Sequence, residues 1–231
     1  DSGDGGPAVE AAFYTISDIA TDREGNVFVS DATSRSIRKI TKDGIIQKVL
    51  DETMVPMGEE FHPNSVMVDD AGTLYFSDAG SSQIAKIDID GTFKIIGGTG
   101  EFKDDGDGSL AVSAGVRSPG GLLLGRDGTL YLAEEQTARI RKIDVQGIIS
   151  LVAGTGVKGF SGDDGPASQA QLKSPFRMVF DNSGNLIFTD RDNNRIRKID
   201  TQGIIFTLAG HGNFGWMQDG LEVKFTVQDF P

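Results

Sequence analysis

Cysteine is absent from the 231 residues, so neither a disulfide nor a thiolate metal site contributes to this protein. Histidine is nearly absent. With only His62 and His211, a three-histidine zinc site is impossible and a histidine-based catalytic triad has few starting points. No apolar run approaches the roughly 18 residues of a membrane-spanning helix. The N-terminus carries no basic and then apolar leader, so a targeting segment is expected to have been removed or never present. Proline is scarce at 7 residues, whereas glycine reaches 31, about 13% of the chain against a usual ~7%. Such a chain is turn-rich without being collagen-like. Positive charge is in the minority: 22 Lys and Arg face 34 Asp and Glu. The net charge of −12 repels phosphate backbones and anionic lipid, which argues against nucleic acid and membrane insertion as partners. Hydrophobic residues at 38%, with 14 Phe, suffice for a packed core.

What is present is a repeat. Asp22-Arg-Glu-Gly25-Asn-Val-Phe-Val-Ser-Asp31 recurs as Asp69-Asp-Ala-Gly72-Thr-Leu-Tyr-Phe-Ser-Asp78, as Gly125-Arg-Asp-Gly128-Thr-Leu-Tyr-Leu-Ala-Glu134 and as Asp181-Asn-Ser-Gly184-Asn-Leu-Ile-Phe-Thr-Asp190. The register glycines put the copies 47, 56 and 56 residues apart. A second unit follows each: Arg35-Ser-Ile-Arg-Lys-Ile40, Gln83-Ile-Ala-Lys-Ile87, Arg139-Ile-Arg-Lys-Ile-Asp144 and Arg195-Ile-Arg-Lys-Ile-Asp200. Between copies, Ser161-Gly-Asp-Asp-Gly-Pro-Ala167 and the residues to Pro175 align without gaps to Ser2–Ile16 and Asp105–Pro119. The second copy replaces this linker with the shorter Asp51–Pro63, and a degenerate further linker begins near Asp219. A fixed period of this length marks a repeat architecture.

Each copy contains four apolar or β-branched runs of strand length, as in Met178–Phe180, Asn185–Thr189, Arg195–Ile199 and Ile204–Ala209. The Asp-x-x-Gly sequences between them suit hairpin turns in which Asp bonds the turn backbone and Gly takes the left-handed conformation. A four-stranded sheet that is apolar on both faces cannot stand alone in water, and radial repetition buries both faces. The expected fold is therefore all-β, a β-propeller of four complete blades over approximately 2–50, 51–103, 104–160 and 161–218, with a partial linker at 219–231. Pro7 and Pro166 with their neighbouring alanines suit one tight helical turn in each linker, proline at its first position.

The Ser-Gly-Asp-Gly-Gly-Pro-Ala type of linker, the Asp-x-x-Gly-Asn-Leu-Tyr type of strand and Arg-Ile-Arg-Lys-Ile-Asp together resemble NHL-repeat proteins, over nearly the whole chain. The resemblance implies a propeller, commonly six-bladed, that serves as a binding scaffold or sensor. It also implies that further blades complete the ring, with dimerisation with a second copy of the chain or closure by four blades alone as the alternatives, and it suggests a secreted, periplasmic or cell-surface protein.

Binding on such scaffolds uses loops held by rigid strands. The loops from second to third strand carry Asp31, Asp78, Glu134 and Asp190, a carboxylate in every copy. These four could ring a channel and hold calcium. Alternatively each bonds its own loop backbone and the nearby Arg35, Arg139 or Arg195, as expected of a feature needed to build every repeat. Residues that occur in one copy only are better candidates for a specific ligand: Arg191, Asp192, Asn193, Asn194, Glu135 and the lone Trp216. Asp104–Ser109 resembles a calcium loop, but Leu110 and Val116 stand where that pattern needs Gly and Glu. The leading expectation is a non-enzymatic scaffold that presents its loop face to a protein or glycan and needs no cofactor. The alternative is a propeller hydrolase or lactonase with a divalent cation held by the repeated carboxylates, and a third is a purely structural spacer.

Overall fold

Residues 2–57 and 60–212 are described by a computed structural model, and their strands follow the repeat. The first blade comprises β1 (Ile16–Thr21), β2 (Val27–Asp31), β3 (Ser36–Ile40) and β4 (Ile46–Asp51). The second comprises β5 (Pro63–Val68), β6 (Leu74–Asp78), β7 (Gln83–Ile87) and β8 (Phe93–Gly97). The third has β9 (Pro119–Leu124), β10 (Leu130–Glu134), β11 (Arg139–Ile143) and β12 (Ile149–Ala153). In the fourth are β13 (Pro175–Phe180), β14 (Leu186–Asp190), β15 (Arg195–Ile199) and β16 (Ile205–Ala209). Every blade is a four-stranded antiparallel sheet whose strands pair in chain order. The further linker expected at 219–231 lies outside the described residues.

The turns explain why the strands begin and end where they do. Asp22 Oδ1 accepts from the backbone N–H of Glu24 at 3.0 Å and of Asn26 at 2.9 Å, and Asp181 accepts equally from Ser183 and Asn185. Gly184 closes its turn at φ +82°, where an added Cβ would meet only Thr201 Cγ2 at 3.7 Å. Space is not the obstacle there, so the cost is that of left-handed backbone alone. Gly184→Ala is expected to lose about 1 kcal/mol in urea unfolding; no measurable loss would mean that the turn relaxes into another conformation.

The core lies between neighbouring sheets rather than within one. Phe28, Ile37 and Leu50 of the first blade pack with Val66, Phe76 and the linker residue Phe61 of the second. Leu122, Leu130 and Leu132 pack with Ile84 of the preceding blade, and Phe188, Leu186 and Ile205 with Ile140 and Ala153. Burying each of these larger side chains contributes about 1.5–3 kcal/mol, which no sheet exposed on both faces would gain.

The linkers stitch the outer strands. In the third linker, Gly108 and Ala111 donate to Ile149 and Gly147 of the outer hairpin that follows, while Gly98 and Thr99, beyond the outer strand that precedes, donate to Ala111 and Ala114. Each long linker contains one 3-10 turn, at Ala8–Glu10, Ala111–Ser113 and Ala167–Gln169. Pro7 and Pro166 stand at the cap of that turn, one place before the expected first position, because their φ of −60° comes with an extended ψ near +130°. Among the described residues no helix is long and apolar enough to cross a membrane.

Inner strands β1, β5, β9 and β13 pack each on the next. Asp18 on β1 accepts from Ser65 Oγ at 2.6 Å and from the Val66 N–H at 3.2 Å. Arg177 on β13 reaches the same carboxylate at 2.6 Å and also donates to the Ser17 carbonyl. The first and fourth blades are thereby joined.

Candidate functional site

Antiparallel order puts the loops from second to third strand and the linker ends on one face, with the Asp-x-x-Gly turns on the other. On the loop face, Asp31, Asp78, Glu134 and Asp190 are each fully buried. Each ties a linker end to its own blade. Asp31 accepts from the backbone N–H groups of Tyr14 at 2.7 Å, Thr15 at 2.9 Å and Ser34 at 3.0 Å. Asp78 accepts from His62 N–H at 2.8 Å, Gly80 N–H at 3.0 Å and the Ser81 hydroxyl at 2.8 Å. Glu134 accepts from Arg117 N–H at 3.0 Å, and Asp190 from Lys173 N–H at 2.7 Å and the Asn193 amide at 2.8 Å.

The surroundings tune these four groups differently. Burial opposes the charge of Asp31, yet its backbone donors outweigh burial and hold the carboxyl below the ordinary carboxylate value. Burial dominates at Asp78 and Asp190 and raises both. At Glu134 burial pushes the carboxyl up to about 7, offset in part by Arg141 and the Arg117 N–H. Their hydrogen bonds go to their own linker ends and loops, and among the described residues no group of three or more His, Asp or Glu is arranged to hold a metal ion. The carboxylate set does not fit a shared calcium.

The arginines within ion-pair distance of Glu134 and Asp190 are not Arg139 and Arg195. Arg35 pairs with Glu52 at 2.7 Å, Arg139 with Asp104, and Arg195 donates to the carbonyls of Asn193 and His211. The arginine in the middle of the third strand is the one that turns inward. Arg38, Arg141 and Arg197 are fully buried. Arg141 lies 3.5 Å from Glu134 and Arg197 3.5 Å from Asp190. All three grip the preceding linker at matching places: Arg38 on the Ser2 and Ala12 carbonyls, Arg141 on those of Asp105 and Gly115, and Arg197 on those of Ser161 and Gln171. Asp4, Asp107 and Asp163 complete the grip as ion pairs. The Asp104–Ser109 stretch is thus part of a clamp. The sequence ties arginine to the long linker, since only the second copy lacks that linker and only that copy, with Gln83 and Ala85, has neither of the two arginines, but it does not say which of the two turns inward.

The residues found in a single copy lie at the seam between the third and fourth blades. Arg191 and Asp192 are exposed, and Arg191 Nη2 sits 2.8 Å from Glu135 Oε2 across the seam. Asp192 accepts from the Ser174 hydroxyl at 2.8 Å, and Phe176 lies beneath the guanidinium groups of Arg177 and Arg191. Asn194 is exposed in the left-handed conformation that ends the 3-10 turn Arg191–Asn193. Asn193 is separated from this group. It is buried, and its amide donates to the Gly159 carbonyl and Asp190, so it shapes the loop from within. Trp216 lies outside the described residues.

No family model matches the chain. Teneurin-4 of Homo sapiens is 29% identical over a 233-residue alignment that covers 85% of this chain and 8% of that protein. The chain spans 8 to 13% of the length of the first curated relatives that it matches. A streptogramin B lyase structure superposes with a TM-score of 0.62 at 18% identity, covering 86% of this chain and 55% of the other. An auxiliary nutrient binding protein from Bacteroides thetaiotaomicron superposes with a TM-score of 0.66 at 16% identity, covering 87% and 49%. At such identities the likeness speaks for fold alone, and one fold hosts many functions. With four four-stranded sheets whose strands pair in chain order, the chain is a β-propeller-type repeat protein.

Proposed function

We propose that the chain is a non-enzymatic binding scaffold of NHL type, displayed outside the cell, which presents its loop face to a protein or glycan partner. The observation that supports this reading is the seam of the third and fourth blades. There the exposed Arg191 and Asp192 are held by Glu135 and Ser174 in fixed positions beside Phe176, while the repeated carboxylates are occupied in building their blades. Preset charged groups over an aromatic ring offer directional contacts at little ordering cost. Arg191, Asp192, Asn194 and Glu135 are the contact residues in this proposal, and further blades or a second copy complete the propeller.

The test compares the chain with Arg191→Ala/Asp192→Ala on a glycan array and on a panel of purified extracellular proteins. Exposed ion pairs contribute about 0–1 kcal/mol, so the double variant is expected to melt within about 2 °C of the parent. Binding should fall at least about tenfold, the loss of one well-formed charged contact. Equal binding by both proteins would exclude this face as the site.

A further inference from the structure

On the opposite face, between the third and fourth blades, lies a cavity of about 540 Å³. Its wall is Leu123 with Tyr131 and Phe180, an edge-to-face pair whose ring centroids are 5.2 Å apart, and its rim carries Arg126, Asp127 and Asn182. The volume is that of a small-ligand site, roughly 300–1,000 Å³.

The seam of the second and third blades has an equivalent cavity of about 420 Å³, and two departures from the repeat give the one at the third and fourth blades its own polar groups. The Asp-x-x-Gly turn begins with Asp22, Asp69 and Asp181 in three blades, but with Gly125 in the third. In the second blade Asp69 accepts a hydrogen bond from the Tyr75 hydroxyl at 3.3 Å. Tyr131 occupies the same place in the third blade, Gly125 supplies no carboxylate, and among the described residues the Tyr131 hydroxyl has no hydrogen-bond partner. Asp127 instead caps this turn, accepting from Thr129 N–H at 3.1 Å and the Thr129 hydroxyl at 3.0 Å, so the carboxylate has moved out to the rim. The second departure concerns the seam itself. Arg23 and Asp70 form an ion pair between the first and second blades, whereas the corresponding residues here are Arg126 and Asn182. Arg126 is exposed and has no acidic partner among the described residues.

We propose that this cavity binds a neutral saccharide of one or two pyranose rings. A small anion would meet Asp127 and Asp181, and a small cation would meet Arg126. Hydroxyl groups both donate and accept, so a neutral sugar satisfies the guanidinium, the carboxylates and the Asn182 amide together, and its C–H face lies on Tyr131 and Phe180. A residue needed to build a blade recurs in every blade; Gly125 breaks that rule in the lining of this cavity. This site lies on the other face from the loops and does not rest on the loop-face reading.

The probes are glucose, galactose, mannose, N-acetylglucosamine, maltose and cellobiose, read by saturation-transfer NMR on the full chain and then by calorimetry. The decisive variant is Gly125→Asp/Asp127→Ala, which rebuilds the turn of the second blade, Asp69 with Ala71, and returns a carboxylate to the tyrosine. Gly125 does not have a positive φ, and shortening Asp127, whose Oδ1 stands 2.6 Å from an added Cβ, leaves the Thr129 carbonyl at 3.3 Å as the contact that must shift by a few tenths of an ångström. At least one sugar is expected to bind the parent, about tenfold more weakly the double variant, and about fivefold more weakly Arg126→Ala. Val9→Ser, far away in the first linker, should bind like the parent. Absence of transfer to all six sugars overturns the proposal, as does equal affinity in the double variant. If that variant melts well below the parent, Tyr131→Phe decides, because it removes only the hydroxyl; it must weaken binding about threefold or the proposal fails.

Discussion

Arg141→Met is expected to destabilise the chain by about 3–5 kcal/mol, a large share of the stability of an ordinary domain. Methionine keeps the apolar stem, so the loss isolates the guanidinium. Arg141 is fully buried and donates to the Gly115 carbonyl from both terminal nitrogens, at 2.9 and 3.0 Å, and to the Asp105 carbonyl at 3.3 Å. Its removal leaves those linker carbonyls unpaired and Glu134 buried without the cation that most offsets its burial. Ala85 is tolerated at the same place in the second blade because no long linker exists there to be held. Arg141→Met/Glu134→Gln should recover part of the loss, since no uncompensated charge is left inside, and the non-additivity is measurable by urea unfolding of the four proteins in the cycle. A single-variant loss below about 1 kcal/mol would show that the clamp is not what holds the linker.

The second large effect is a melting temperature that rises as pH falls from 8 to 5. Burial raises the Glu134 carboxyl to about 7 in the folded chain, against an ordinary value of 4.5. Between those two values the folded state holds a proton that the unfolded state has released, so stability falls as pH rises across the interval and the penalty is complete above about 7. A separation of that size corresponds to roughly 3 kcal/mol. Asp78 and Asp190 are raised by burial and act in the same direction at lower pH. Hydrogen bonds, joined by neighbouring lysines at all but Asp31, lower Asp22, Asp31, Asp51, Asp127 and Asp181, so acidification below their ordinary value near 3.8 removes stability and the curve turns over there. Relief of the net negative charge also favours the acid side, and Glu134→Gln separates the two causes. The variant should melt higher than the parent at pH 8 and close to it at pH 5. A parent whose melting temperature is flat or falling over this range would contradict the assignment.

The sequence by itself determined the blades. Asp-x-x-Gly turns, at least one in every blade, with alternating apolar runs on either side, dictate hairpins through contacts between residues no more than four apart, as between Asp22 and Asn26. Those contacts form wherever the pattern occurs. Only the tertiary structure decided which arginine enters the core, because Arg139 and Arg141 share a strand and a charge and differ in what the linker brings against them. The same holds for the site residues. Asn193 and Asn194 are adjacent and identical in type, but one points at Gly159 and Asp190 and is buried, while the other ends a turn in solvent. The cavity beside Gly125 and the bridge from Arg177 to Asp18 depend on which blades are brought together, and the free energy of a buried or bridging charge is set by those distant partners rather than by its place in the repeat.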